Sequence, residues 1–338
     1  MRKLSFVFLA LMSAAAVRGA SPAARHDLYL CAAVNKGYVI GSAIVTMNGL
    51  FLRDEAGGFR HIGNNDTSVR GAAFDPRDRR VIYLGANNGC WRSLDGGESW
   101  RITTSWDMTE PPDVEVDPNA PDHVYLALPD GVAVSSDRAQ TWQRRETGLP
   151  ARGKYTQVIS VDRTRAGRVL AGCESGIYLT NDGGERWRRV LPTETTVNDL
   201  QQSPHDPRLW LAATQSNGAW FSRNGGKAWE KIAAFQGGET LYNAAFDPTN
   251  PKRLAIGSWA LGVVTSEDAG QTWVARNAGL PESHHVWRIA VDPDSGRLYA
   301  SVLEEALYCS DDFGRTWKSG GMEGSVVSRF VFRPAAAK

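Results

Sequence analysis

The chain has 338 residues, room for two average domains or one large all-β domain. Its 38 lysines and arginines against 37 aspartates and glutamates leave a formal net charge of +1. That balance excludes a basic excess able to neutralise phosphates, and with it nucleic acid as the main partner.

Arg2 and Lys3 open the chain, Leu4 to Ala16 follow as an apolar stretch, and Ala14-Ala15-Ala16 offers a small-residue cleavage site, as do Gly19 and Ala20. This order reads as a secretory signal over residues 1–20, ahead of a single domain over 21–338. The apolar run is shorter than the roughly 20 residues a spanning helix needs, so no transmembrane segment is expected. No cysteine just after the signal offers a lipid-anchoring site. The expected location is secreted or periplasmic.

The first strands expected are Leu28-Tyr29-Leu30-Cys31, Gly49-Leu50-Phe51-Leu52 and Phe59-Arg60-His61-Ile62. Leu52–Phe59 is a worn copy of a motif that then recurs six times as Ser-x-Asp-x-Gly-x-Thr-Trp with tolerance. The copies are Ser93–Trp100, Ser135–Trp142, Thr180–Trp187, Ser222–Trp229, Ser266–Trp273 and Ser310–Trp317. Successive tryptophans are 42, 45, 42, 44 and 44 residues apart, and Phe59 of the worn copy lies 41 before Trp100. A fixed period of this size marks a repeat architecture.

Each unit has one grammar. An apolar strand ends in Asp-Pro, as at Phe74-Asp75-Pro76, Val116-Asp117-Pro118, Phe246-Asp247-Pro248 and Val291-Asp292-Pro293. A second strand follows (Val81-Ile82-Tyr83-Leu84), then a third (Gly131-Val132-Ala133-Val134), and the motif turns into a fourth that opens with Trp. Four short strands per repeat, parted by polar turns, make a propeller blade. The Asp carboxylate accepts backbone N–H bonds across the turn. The Gly tolerates a left-handed backbone, and the Trp buries a large ring. Asn224 replaces the Asp of one copy and Ala139 the Gly of another, which predicts two looser turns. Residues 28–62 supply only strands two to four, and Val326–Pro334 matches a first strand, with Phe332-Arg333-Pro334 in place of Phe-Asp-Pro. The fold expected is therefore an all-β, seven-bladed β-propeller of four-stranded blades, the last blade closed by both termini. Closure removes open sheet edges.

Cys31, Cys90, Cys173 and Cys309 fall within or at the end of apolar runs at irregular intervals. Two disulfides in any of three connectivities are one arrangement; four buried free thiols, the habit of unpaired cysteine, is the one expected.

These repeats resemble the Asp-box (BNR-repeat) propellers, among them photosystem II assembly factors, sortilin-type receptors, xyloglucanase-type glycoside hydrolases and sialidases. The resemblance covers nearly the whole chain after the signal, and implies fold far more than function. The assembly factors are nearest in size and layout, which implies a non-catalytic scaffold for a protein or peptide. The alternative is a glycoside hydrolase or carbohydrate-binding propeller. Against hydrolysis, the acid of the xyloglucanases' early Thr-Asp-x-Gly-Gly is missing at Thr46-Met47-Asn48-Gly49. A sialidase would need an arginine triad. Arg70, Arg288 and Arg329 fall on inner strands of neighbouring blades, but the Arg-Ile-Pro segment is absent and sialidases are usually six-bladed.

The Asp boxes and Asp-Pro loops share one face, so binding residues are expected on the opposite face, in the loops between strands two and three and the blade-to-blade links. Around the ring these supply Asn65, Asp66, Arg70, Trp106, Asp107, Glu110, Tyr155, Gln157 and Glu174, then Asn198, Glu239, Tyr242, Trp259, His284, His285, Trp287, Glu304 and Glu305. The ligand-binding candidates are Arg70, Trp106, Asp107, Tyr155, Glu174, Tyr242, Trp259, His285 and Trp287. Trp106, Trp259 and Trp287 stand outside the repeat grammar that accounts for the other nine tryptophans. His284-His285 lacks a third ligand at a recognisable spacing, so no metal is expected. No phosphate loop, dinucleotide fingerprint or nucleophile elbow appears, and no cofactor is expected. A monomer is expected, binding a peptide or glycan on this loop face.

Overall fold

The computed structural model describes residues 26–34, 47–65 and 68–336. The expected signal, Thr46 and Asp66 lie outside them. Seven four-stranded antiparallel sheets make the ring, and no helix occurs among the described residues. Six blades are continuous in sequence. Their innermost strands are Val69–Phe74, Asp113–Val116, Thr156–Val161, Val197–Gln202, Leu241–Phe246 and Val286–Val291, for blades 1 to 6. The seventh, composite blade runs Ser325–Pro334, His26–Val34, Met47–Arg53, Phe59–Ile62 from the axis outward. Pairing from His26↔Pro334 to Val34↔Ser325 closes the ring between both ends of the described chain.

The second and third strands are buried on both faces because each blade is sandwiched between two others. Val124–Leu128 and Gly131–Ser135 are buried at every position. The core therefore lies between blades: Tyr125, Ala127, Val132 and Val134 of blade 2 pack on Ile159, Val169, Ala171, Tyr178 and Trp187 of blade 3. Fourth strands such as Arg101–Ile102 are two residues long and exposed.

Each Asp box folds in one way. In the first, Ser93 Oγ donates to Asp95, Gly97 N donates to Ser93 Oγ at 2.8 Å, and Ser99 N donates to Asp95 at 2.9 Å. The two departures are no looser. Ala139 takes a left-handed φ of 58° and keeps its 2.8 Å bond to Ser135 Oγ. Asn224 still accepts from Lys227 N and Ala228 N at 3.1 and 2.9 Å. What it loses is the second carboxylate oxygen, which in the Asp137, Asp268 and Asp312 boxes takes a threonine hydroxyl; Ala228 has none to offer.

The box tryptophans dock in two ways. Trp100, Trp229 and Trp273 donate their indole N–H to the glycine carbonyl of their own box. Trp142, Trp187 and Trp317 reach back to the preceding blade, onto Thr103 Oγ1, the Arg145 carbonyl and the Arg276 carbonyl. Trp187 is fully buried, whereas Trp273, expected to be an equal anchor, is only half-buried against Phe235.

Arg333 stands where sister blades have the Asp of Asp-Pro. Its guanidinium crosses into blade 1 and donates to the carbonyls of Arg79, Asp75 and Asp78 at 2.7, 3.2 and 3.3 Å. The four cysteines are buried and unpaired. Burial pushes the Cys31, Cys90 and Cys173 thiols up to about 12.

Candidate binding site at the channel mouth

The two faces of the ring are distinct. Asp-box turns bond to strand-one-to-two loops, as Gly96 N to Arg80 O and Gly183 N to Gly167 O. On the opposite face the strand-two-to-three loops bond to the start of the innermost strands. Glu174 N donates to Tyr155 O, Trp259 N to Thr240 O and Leu303 N to His285 O.

On that face the innermost strands of every blade but blade 2 carry a β-bulge, at Arg70, Gln157, Asn198, Tyr242, Trp287 and Ser328. A bulge re-aims the side chain at the extra residue. In blades 5 and 6 that residue is aromatic, and the two rings meet. Tyr242 and Trp287 lie 4.4 Å apart between centroids, Tyr242 and Trp259 6.0 Å apart edge to face, and Trp259 stacks on His285 at 4.1 Å and 7°. His285 Nδ1 sits 3.0 Å from the Trp259 carbonyl, which as an acceptor fixes the proton on Nδ1. The Arg288 guanidinium lies 5.6 Å over Trp287 and donates to the carbonyls of Ser328, Tyr242 and Trp287 at 2.9, 3.0 and 3.2 Å.

The indole N–H groups separate these tryptophans from the rest. Nine of the twelve donate to an acceptor within the protein. Trp106, Trp259 and Trp287 have no acceptor among the described residues, and the Tyr242 hydroxyl has no partner there either.

Four candidates thus converge: Tyr242, Trp259, His285 and Trp287. A second group gathers at Tyr155, whose hydroxyl donates to Gln157 at 3.0 Å and whose amide donates to Glu174 at 3.3 Å. Burial raises the Tyr155 hydroxyl; Arg70 opposes the shift, and Glu110 and Glu174 add to it. Trp106 and Asp107 stand apart on the link between blades 1 and 2. Trp106 is 89% exposed, and the Asp107 carbonyl accepts from Arg144 at 2.7 Å. Asn198 is buried and donates to Leu241 O at 2.9 Å. His284 is held by Pro281 O and Asn277 at 3.2 and 3.3 Å. Among the described residues no three His, Cys, Asp or Glu side chains group as metal ligands.

Below the mouth the channel encloses about 860 Å³ and is more polar than the strand pattern announces. At one level, just past the bulges, stand Arg329 of the composite blade and Arg288 of blade 6, facing Asp113 and Asp199 of blades 2 and 4. Arg329 Nη1 lies 3.4 Å from Asp113, and its Nη2 pairs with Glu115. Burial raises both carboxyls against the pull of Arg329, Glu115 to about 7. Asp113, Asp199 and Asn243 also cap the free edge of the next innermost strand. They accept from Ile159 N, Ala244 N and Ile289 N at 3.3, 2.9 and 2.8 Å. The residue-type signal was there to read: charged and amide side chains inside apolar strands, as in Asp113-Val114-Glu115-Val116.

The profile of the photosynthesis system II assembly factor YCF48 family matches residues 61–332. The photosystem II assembly lipoprotein Ycf48 of Synechococcus sp. (strain CC9902) is 25% identical over 279 residues, 74% of this chain and 76% of its own. An oligoxyloglucan-reducing end-specific xyloglucanase of Emericella nidulans is 27% identical over 251 residues, 62% of this chain but 30% of that enzyme, so the chain spans less than a third of it. Among solved structures, YCF48 bound to D1 peptide superposes with a TM-score of 0.56 at 21% identity, covering 74% of this chain and 81% of that one. The GH74 enzyme of Niastella koreensis gives 0.68 at 17% identity, covering 82% and 51%. At these identities the structural likeness shows a shared fold.

Proposed function

We propose, for a chain that belongs to the photosynthesis system II assembly factor YCF48 family, a non-catalytic scaffold that captures a peptide segment of a protein partner at the channel mouth opposite the Asp boxes. The observation that carries this reading is a set of donors with no acceptor among the described residues: the indoles of Trp259 and Trp287 and the Tyr242 hydroxyl, gathered around the Tyr242 ring on the rim. Aromatic rings with a polar handle supply contact area at low entropic cost, and their N–H and O–H groups ask for acceptors. The family structure with a D1 peptide supports a peptide as the class of ligand. The leader-like start at Arg2, Lys3 and Leu4 to Ala16 supports a secreted or periplasmic site of action.

The experiment is capture from a peptide array by the purified protein, repeated with Trp259→Ala and Trp106→Ala. Trp259→Ala weakens capture while thermal stability holds, and so does Trp106→Ala if the outlying ring belongs to the same surface. Unchanged capture by Trp259→Ala removes the mouth from the site.

A second reading, a BNR-type glycoside hydrolase or carbohydrate-binding propeller, draws on one feature. Glu115, raised to about 7 beside Asp113, has the protonation expected of a general acid. Turnover of xyloglucan, other β-glucans or sialosides that Glu115→Gln abolishes, with stability retained, would promote it over the scaffold.

A further inference from the structure

The mouth closes off two of the common ways to hold a peptide. Strand addition needs free backbone groups on a sheet edge. In blades 5 and 6 those groups are spent on side chains: Asp199 and Asn243 cap the amides of Ala244 and Ile289. Asn198, Asn243 and Arg288 occupy the carbonyls of Leu241, Ile289, Tyr242 and Trp287. A helix docked on the rim would bring carbonyls already engaged within its own turns, which leaves the indole donors unanswered. The rim therefore asks for a chain that is extended, forms no ladder, keeps its carbonyls open and carries flat apolar faces to lie on aromatic rings. Polyproline II meets all four conditions. It has no internal hydrogen bonds, and aromatic-lined grooves read it by packing proline rings while aromatic N–H and O–H groups bond its carbonyls.

We propose that the segment captured at the mouth is a proline-bearing chain in the polyproline II conformation, laid across Tyr242, Trp259 and Trp287. The proposal rests on the peptide-binding reading above and narrows it. The tilted pair Tyr242–Trp287, at 43°, and the edge-to-face pair Tyr242–Trp259, at 65°, are in direct ring contact and make one uneven aromatic surface. Proline rings lie on its outer faces, and the indoles of Trp259 and Trp287 and the Tyr242 hydroxyl donate to peptide carbonyls. The stacked His285 holds the plane of Trp259 from behind.

The test is calorimetric titration of the full chain with octaproline, acetylated and amidated so that no terminal charge contributes. The comparison ligands are a Gly-Ser peptide of equal length, a Thr-Val strand-forming peptide and a xyloglucan oligosaccharide. Octaproline is expected to bind, with tryptophan fluorescence changing on saturation, and the two control peptides are expected to bind at least about tenfold more weakly. Trp287→Phe and Tyr242→Phe keep a ring and delete one donor each. Each is expected to weaken octaproline about fivefold, the worth of one hydrogen bond, with the melting temperature unchanged. Equal affinity for the Gly-Ser or Thr-Val peptide overturns the polyproline assignment and leaves the peptide scaffold standing. Binding of the oligosaccharide alone overturns both. Octaproline binding that neither phenylalanine variant alters overturns the placement at this rim.

Discussion

The guanidinium of Arg329, in the closing strand, lies 3.4 Å from the carboxylate of Asp113 in blade 2, with the innermost strand of blade 1 between their blades. Gly71 makes this reach feasible. A Cβ there would come within 3.0 Å of the Asp113 Cα and the Val114 N. Arg329→Ala would leave Asp113 and Glu115 without their cation. Removing one partner of a buried pair costs about 3–5 kcal/mol, and the ease with which the two raised carboxyls take up a proton puts this case at the low end. Urea unfolding measures it, and a loss below about 1 kcal/mol would show that the pair contributes little.

Deleting residues 326–338 strips His26–Val34 of the strand it pairs with from end to end. It also removes the Arg333 contacts to blade 1. The exposed edge is expected to aggregate or to lower the melting temperature sharply. A monomeric truncation with an unchanged melting temperature would contradict the closure.

Trp187 and Trp273 are expected to separate under mutation. Trp187 is 2% exposed and bonded to blade 2, so Trp187→Ala should cost about 3–5 kcal/mol. The half-buried Trp273 should cost less, in proportion to the area it hides. Equal losses in denaturant titration would show that exposure does not set the cost.

Acid and base act on different carboxylates. The hydroxyls of Thr272 and Thr316 hold Asp268 and Asp312 at about 2, below the ordinary ~3.9. Their stabilising effect is present above that ordinary value and is lost as pH falls through about 2. Glu115 has the opposite sign. Burial raises it to about 7, so from the ordinary ~4.3 upward the unfolded chain gives up its proton first. Stability then declines as pH climbs through about 7. Melting curves from pH 2 to 9 should show a maximum in mildly acidic solution. Glu115→Gln should flatten only the alkaline limb, and Asp268→Asn, which copies Asn224, only the acid limb. Parallel shifts of both limbs would contradict this division.

The repeat was legible because its spacing and its turn chemistry are local. Asp95 fixes its own turn through Ser93 and Ser99, all within seven residues. Closure was legible from Phe332-Arg333-Pro334, although the cross-blade aim of Arg333 was not. The site was only half legible. Trp106, Trp259 and Trp287 look alike in sequence, since all three fall outside the repeat grammar. Two of them, Trp259 and Trp287, share Tyr242 as a neighbour only because bulges in adjacent blades turn Tyr242 and Trp287 toward each other, and no local pattern encodes that. The paired charges of the channel, Arg329 and Asp113, lie 216 residues apart in the chain, so their partnership appears only when the ring is closed.

The two docking modes of the box tryptophans divide the ring. Backward bonds from Trp142, Trp187 and Trp317 stitch blades 1, 2 and 3 into one run and blades 5 and 6 into another. Blade 4 and the composite blade belong to neither run, and blade 4 also has the Asn224 box that lacks the extra hydroxyl bond. Sub-global opening follows such seams. Amides on the outer strands of blade 4 should therefore exchange with solvent first, and the two stitched runs should open later, each as a cooperative unit. The ring is in this sense a jointed band rather than seven equal segments, and one of the joints without a tryptophan stitch lies beside blade 5, which carries half of the aromatic rim.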